Sequence, residues 1–368
     1  MKFSCANTDF LEAVSTASKA SSASTSFPVL EMLLIEADEG IKITGNNLEI
    51  AVEYYIPATV YEKGSISVNA KIICEIIRRM PEGIIFFEVG SDSNVKITCG
   101  ELDFTIIGIS PEDFPKIPDI DVSQNIVTTG EVISNIVKKT SFAVAQTDSK
   151  PILTGIKIDV KEDVIKAVAI DGYRMAISYT KNENTMPETG FIIPGRSLIE
   201  FSRISGGTKD KVIINISDKN VLFEYGNCRF LSRLLDGEFI NYENILPKSH
   251  NYSAVIDAAE FIKSVDRAAL LADAEGNKTP VRVLYEADKV TVMCNTGKGN
   301  MKDIIAVKTD STESFEVGYN CKFLMDALKA TDCDKIKIEI VGSVNPTVIK
   351  PSEDDEAFTF IVLPVRLK

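Results

Sequence analysis

The sequence predicts an α+β chain of three similar domains, each built from two β-α-β-β-β repeats. Three observations carry this reading. A helix-like segment recurs six times, β-like alternation surrounds each recurrence, and one charge changes sign from each recurrence to the next. The six segments are TDFLEAVSTA, NAKIICEIIRRM, TGEVISNIVKKT, PGRSLIEFSRI, DAAEFIKSVDRA and NCKFLMDALKA. Each has a polar start and then apolar residues at helical spacing. Anchored on Leu11, Ile73, Ile133, Leu198, Ile262 and Leu324, they return every 60–65 residues. Three residues after each anchor stands Val14, Ile76, Ile136, Phe201, Val265 or Ala327, so each helix buries one face.

A short β-like run precedes each helix: MKFSC, GSISVN, QNIVTT, TGFIIP, YSAVID and ESFEVG. Longer alternating runs follow, such as LLIEADEGIKITGNNLEIAVEYYI, broken by Gly, Asn and Asp. Period-two alternation with those breaks reads as antiparallel hairpins. Two residues before the anchor the charge is acidic at Asp9, Glu131 and Glu260, and basic at Lys71, Arg196 and Lys322. Alternation by sign pairs the repeats into domains 1–122, 123–247 and 248–368, with linkers at 116–125 and 245–251.

Composition narrows the function. The 368 residues are 45% hydrophobic and 25% charged, which is ordinary for a globular chain. No apolar run approaches a membrane span, and the first residues lack a signal peptide's apolar core, so a cytoplasmic protein without membrane contact is expected. The seven Cys form no CxxC pair and read as free thiols. A net charge of −13 argues against a protein that coats nucleic acid by bulk affinity. The single His250, in PKSHNY, reads as a loop residue, and no G-x-S-x-G elbow accompanies it.

Against that acidic total, one basic position recurs. Five residues after the anchors stand Thr16, Arg78, Lys138, Arg203, Arg267 and Lys329. At about 100° per residue this position lies opposite the apolar face, as does the position of Lys71, Arg196 and Lys322. Lys and Arg near a helix C-terminus also suit the helix dipole, yet recurrence in five of six repeats of an acidic chain points to a polyanion met by its backbone phosphates.

At this point the chain resembles the bacterial sliding clamps, the β subunits of DNA polymerase III. The resemblance runs over the full length. It rests most specifically on Asp171-Gly172-Tyr173-Arg174-Met175 and on the ending Leu363-Pro364-Val365-Arg366-Leu367. Pro111-Glu112-Asp113-Phe114-Pro115 and the stretch from Gly237 to Pro247 support it. It implies the DNA clamp fold: a head-to-tail homodimer closed into a ring, helices inside and sheets outside, encircling duplex DNA without reading its sequence. It implies a processivity factor with no catalysis and no cofactor or metal, loaded by a separate ATP-driven loader. Replicative polymerase, clamp loader and repair proteins would dock through short linear peptide motifs.

Carried over residue by residue, the resemblance implies a peptide groove walled by Leu153, Ile170, Gly172, Tyr173, Arg174, Met175, Ile240, Ile245, Ile361, Leu363, Pro364, Val365, Arg366 and Leu367. Aliphatic walls of this kind suit the Leu and Phe side chains of a linear motif. Without the family, Asp171-Gly172 is a tight hairpin turn, Arg174 a strand-end surface charge and VLPVRL an edge strand broken by Pro364. The DNA-facing set is Lys71, Arg78, Lys138, Arg196, Arg203, Arg267, Lys322, Lys329 and Gln146, the last from the loop Gln146–Lys150. The dimer contact is expected between Phe104 on one copy and Leu270-Leu271 on the other. Departures from the family are Ile240 for a Pro, Asn244 for a basic residue, Ser24 in place of a DNA-contacting Arg, and an added Lys368.

Two other classes compete. An enzyme would need a phosphate cradle or paired acids. Ser205-Gly206-Gly207-Thr208-Lys209 and Thr296-Gly297-Lys298-Gly299-Asn300 fit neither nucleotide fingerprint and read as a helix cap and a hairpin loop. Asp354-Asp355 lies in an acidic surface stretch. A non-catalytic repeat scaffold that binds partner peptides without encircling DNA would keep the fold and groove, and the recurring basic position speaks against it.

Overall fold

In the computed structural model the described residues are 1–367 apart from 23, 24, 119, 148, 149, 275, 277, 278, 310 and 353–356. Ser24, Asp148, Ser149, Asp354, Asp355 and Lys368 therefore lie outside them, as does the side chain of residue 184. Six α-helices occur among the described residues: α1 (Asn7–Ala17), α2 (Ala70–Arg79), α3 (Gly130–Thr140), α4 (Gly195–Ser205), α5 (Ala258–Ala274) and α6 (Cys321–Lys329). All six anchors fall inside them. Ile73, Ile133, Leu198 and Leu324 are buried, and Leu11 and Ile262 partly so. The Asn69 side chain accepts from the Ile72 N–H, and that of Asn320 from Lys322 and Phe323, so Asn starts two of the helices as an N-cap.

Among the described residues every strand pairing is antiparallel, as the alternating runs predict. The third repeat departs from the unit. Its three expected strands merge into one hairpin of 16 and 21 residues, Gly155–Ile170 and Arg174–Pro194. TGFIIP is the end of that second strand and leads directly into α4. The merged strand carries Pro187 and Gly190 within it, and the pairing passes two irregularities, from Val164↔Lys181 to Glu162↔Met186 and on to Val160↔Thr189.

Two compact units result. The first holds residues 1–131 and 197–234. Its eight-stranded sheet joins two repeats that are far apart in sequence, because Ile50–Tyr54 pairs with Cys228–Ser232. Its main core collects Phe10, Val14, Ile73 and Ile77 from α1 and α2 with Phe3, Ile35, Ile43 and Phe87 from the strands. Three rings interlock there: Phe3 stacks on Phe87 at 4.7 Å and Phe10 meets Phe87 edge-on at 5.9 Å. The 116–125 stretch is not a free linker. Ile117 and Ile120 pack on Ala51, Leu222 and Leu231, and Gln124 already begins a strand.

The second unit holds residues 132–196 and 235–368. A seven-stranded sheet joins the long hairpin to the last strand, with Arg174–Ser178 against Phe358–Val362. That last strand also pairs with Thr347–Ile349. It is a central strand held on both sides, and the run VLPVRL leaves it after Val362, with Val365 bridging Gly318 as an isolated pair. A four-stranded sheet, α5 and α6 complete the unit, and Tyr285, Tyr319 and Thr347 form a buried hydrogen-bonded chain at 3.0 and 2.7 Å. Burial pushes the Tyr319 hydroxyl up to about 12.

All seven cysteines are free thiols. Burial, with Asp9 nearby, pushes Cys5 up to about 12, and burial does the same to Cys228. The Gly206 and Gly207 pair follows α4 with φ of +61° and +67°, and Gly299 closes a hairpin, matching the cap and loop readings.

Gly45 sits buried in the strand Ile41–Asn46, where a Cβ would collide with the Ala17 carbonyl at the end of α1. Gly45→Ala should destabilise the first unit by about 3 kcal/mol, read as a lowered unfolding transition in a thermal melt of the full chain.

Candidate functional site

The residues expected to wall a groove all lie in the second unit. Alternation along the hairpin sets which faces are apolar. Near its turn, Ile165, Ala167 and Ala169 are buried on one face while Val168 and Ile170 are buried on the other. A strand apolar on both faces needs cover on both. The second face is covered by a cluster of Leu153, Val168, Ile170, Met175, Ile177, Tyr242, Val348 and Ile361. Partly buried Ile152, Phe239, Ile240 and Leu246 pack against it. Leu153, Ile170, Met175, Ile240 and Ile361 are thus brought together in one cluster. Ile245, 38% exposed, closes the helical turn Tyr242–Ile245 at the rim.

The turn itself is tight. Gly172 has φ of +90°, a conformation that favours glycine. One Asp171 carboxylate oxygen accepts from the Tyr173 and Arg174 backbone N–H groups at 2.9 and 3.0 Å. Tyr173 stands 62% exposed and stacks on Phe323 of α6 at 5.6 Å. Leu363 donates its N–H to the Tyr173 carbonyl at 2.9 Å, and Val365 to the Gly318 carbonyl at 2.8 Å. Leu367 lies over Gly318, where a Cβ would approach its Cδ2 at 2.6 Å. The tail is therefore tied to the strand Phe315–Tyr319 while Leu363, Pro364 and Leu367 stay partly exposed and Val365 and Arg366 exposed.

Arg174 corrects a sequence expectation. It is only 7% exposed, not a surface charge. A buried guanidinium needs counter-charge, and two carboxylates supply it: Asp171 accepts from Nε at 2.9 Å and Asp326 from Nη1 at 2.6 Å. Phe323 and Phe142 lie under its plane at 4.6 and 5.6 Å. Phe323 and Asp326 were missed from sequence. Their only signal is three-residue spacing on a helix, which leaves their partner unstated. Lys139 was missed likewise. Next to exposed Lys138 it is 3% exposed, with its Nζ 3.2 Å from Asp332 and over the Phe358 ring.

The basic positions are exposed as expected: Lys71, Arg78, Lys138, Arg196, Arg203, Arg267, Lys322 and Lys329. They are not equivalent. Arg78 pairs with Glu75 at 2.5 Å, Arg203 with Glu200 at 3.1 Å, and Arg267 reaches Asp303 on the strand Gly299–Ala306. Among the described residues Lys71, Lys138, Arg196, Lys322 and Lys329 make no ion pair. Arg79, also exposed and on Glu75, adds a cation the repeat spacing did not select. Gln146 is exposed and folds back on the Val144 carbonyl at 3.3 Å.

Each unit also ends on an open sheet edge. In the first unit Leu102–Ile107 is the last strand of a five-stranded sheet, with Ile107 79% exposed and Phe104 partly buried on its own core. In the second, Gly299–Ala306 is the last strand of the four-stranded sheet, with Ile304 54% exposed. Leu270 of α5 is 72% exposed, and Leu271 lies by Gly299 at the end of that strand. His250 is 40% exposed in a loop, its Nδ1 3.8 Å from Glu339. No helix among the described residues is long and apolar enough to cross a membrane.

Comparison with known proteins bears on the whole chain. Models of the N-terminal, central and C-terminal domains of the DNA polymerase III beta subunit match residues 1–118, 128–241 and 243–366. A beta sliding clamp of Staphylococcus aureus is 30% identical over 377 aligned positions, covering 100% of this chain and 99% of the relative. A crystal structure of a DNA polymerase III beta subunit from Eubacterium rectale superposes with a TM-score of 0.95 at 30% identity over 99% of both chains. That of the Bacillus subtilis sliding clamp does so at 0.95 and 28% over the full length of both. With three consecutive domain models and full-length relatives in agreement, the chain belongs to the DNA polymerase III beta subunit family, the bacterial sliding clamps.

Proposed function

We propose that two copies of this chain close head to tail into a ring around duplex DNA, helices inward, and hold partners by peptide motifs seated in the groove. As a member of its family the chain is a non-catalytic processivity factor of DNA polymerase III. The observation that carries the ring reading is the exposed cation repeated on five of six helices of a chain with net charge −13. Weak phosphate contacts of that kind suit sliding, and topology replaces affinity. The scaffold alternative leaves these cations without a use. Division into domains 1–122, 123–247 and 248–368 and a cytoplasmic location accompany this reading.

Closure is supported by two of the open edges. Leu102–Ile107 of one copy can extend the sheet ending at Gly299–Ala306 of the next, covering apolar side chains that each edge exposes. Leu270→Ala with Leu271→Ala should leave a folded monomer, read by sedimentation. A double variant that still sediments as a dimer would move the interface elsewhere.

DNA holding is tested on nicked circular plasmid, from which linearisation should release the protein. Changing Arg78, Lys138, Arg203, Arg267 and Lys329 together to Ser should flatten the salt dependence of retention. The log–log slope should fall by about 0.9 for each phosphate that is no longer neutralised. Singly, Lys138→Ser and Lys329→Ser should cost more than Arg78→Ser and Arg203→Ser, whose cations already carry partners. An unchanged slope means these side chains do not face DNA.

For the groove, removal of residues 364–368 cuts the Val365–Gly318 bond and the packing of Leu367 on Gly318 but leaves the central strand Phe358–Val362 paired on both sides. The truncated chain should stay folded and dimeric. Its affinity for a Gln-x-x-Leu-Phe-type peptide should fall about tenfold or more, since each buried apolar side chain of the motif is worth roughly 1.5–3 kcal/mol. Undiminished affinity in titration would place the partner site elsewhere.

A further inference from the structure

The groove corner is clasped from outside the groove. Phe323 and Asp326 stand three residues apart on α6 and therefore on one helical face. They meet Tyr173 and Arg174, two neighbours in the turn that begins the strand Arg174–Pro194. The contacts are of different kinds. Phe323 meets both the Tyr173 ring, at 5.6 Å, and the Arg174 guanidinium, at 4.6 Å. Asp326 takes the outer nitrogen of that guanidinium at 2.6 Å, while Asp171 takes the inner one at 2.9 Å.

The two carboxylates divide the work. Asp171 belongs to the turn and also holds the Tyr173 and Arg174 N–H groups, so it shapes the turn. Asp326 belongs to another element and fixes where the turn stands against α6. The consequence reaches the tail, because the Tyr173 carbonyl receives the Leu363 N–H. Tyr173, Arg174 and Leu363 all stand in the proposed groove. Asp326 does not, and it is partly exposed beside it.

We propose that Asp326 is a positioning residue for the partner groove, acting through Arg174 to set the surface that a Leu- and Phe-bearing peptide meets. The proposal rests on the groove reading above. Without Asp326 the buried guanidinium keeps Asp171 alone, loses half of its counter-charge and turns toward water. Tyr173, next in the chain and stacked on the same Phe323 ring, shifts with it, and the Leu363 anchor shifts in turn. Asp326 itself need not touch the peptide.

The test is titration of a Gln-x-x-Leu-Phe-type peptide into the full-length dimer, each variant accompanied by a thermal melt. Asp326→Ala should weaken binding about tenfold, the scale of one lost charge-assisted hydrogen bond. Asp326→Asn, which keeps an acceptor for the Arg174 N–H, should lose less. The combination with Arg174→Ala separates positioning from plain stabilisation. If Asp326 acts through Arg174, the double variant binds no more weakly than Arg174→Ala by itself. Unchanged affinity in a folded Asp326→Ala overturns the proposal, and so do losses that add in the double variant. Should Asp326→Ala unfold, wild-type affinity in Asp326→Asn, together with a wild-type melt, overturns it equally. A wild-type protein that takes up no peptide removes the groove reading first, and the role of Asp326 falls with it.

Discussion

A strand at the margin of a sheet carries backbone donors and acceptors that must find partners or face water. Each repeat of this chain makes a sheet too small to close on itself, and the organisation follows from how its margins are satisfied. Ile50–Tyr54 meets Cys228–Ser232 in one unit, and Arg174–Ser178 meets Phe358–Val362 in the other. The strand Phe315–Tyr319 is met by the C-terminal tail at Val365. Among the outermost strands described, Leu102–Ile107 and Gly299–Ala306 both expose aliphatic side chains. The same constraint that builds the sheets within one chain is the ground on which a second copy is proposed.

Pairing across repeats also makes the apolar cluster on which the groove is proposed. Where the hairpin Gly155–Pro194 meets the last strand, apolar residues emerge on both faces, and the outer face is covered only by short segments. The tail crosses this region because it is tied at Leu363 and Val365, on two different elements.

Charge is sorted by what each cation can find. Lys138 and Lys329 stay in water on the helix face away from the sheets. Lys139 and Arg174 go inside, since Asp332, Asp171 and Asp326 meet them there and aromatic rings lie against their charged groups. An isolated buried cation would be very costly. These two are tolerated because packing delivers the partners together with the burial.

The amino-acid sequence by itself determined the six helices, their buried faces, the antiparallel strands between them and the exposed basic positions. All of these depend on periods of 3.6 and 2 that each segment carries alone. The turn at Gly172 was legible for the same local reason. Tertiary structure alone decided the merged hairpin, the central place of the last strand, the packing of Ile117 and Ile120 onto a sheet, and the burial of Arg174. Arg174 and Asp326 are 152 residues apart in the chain. Whether an arginine stays in water or is buried depends on the counter-charge that folding brings to it, and no pattern within its own segment records that distance.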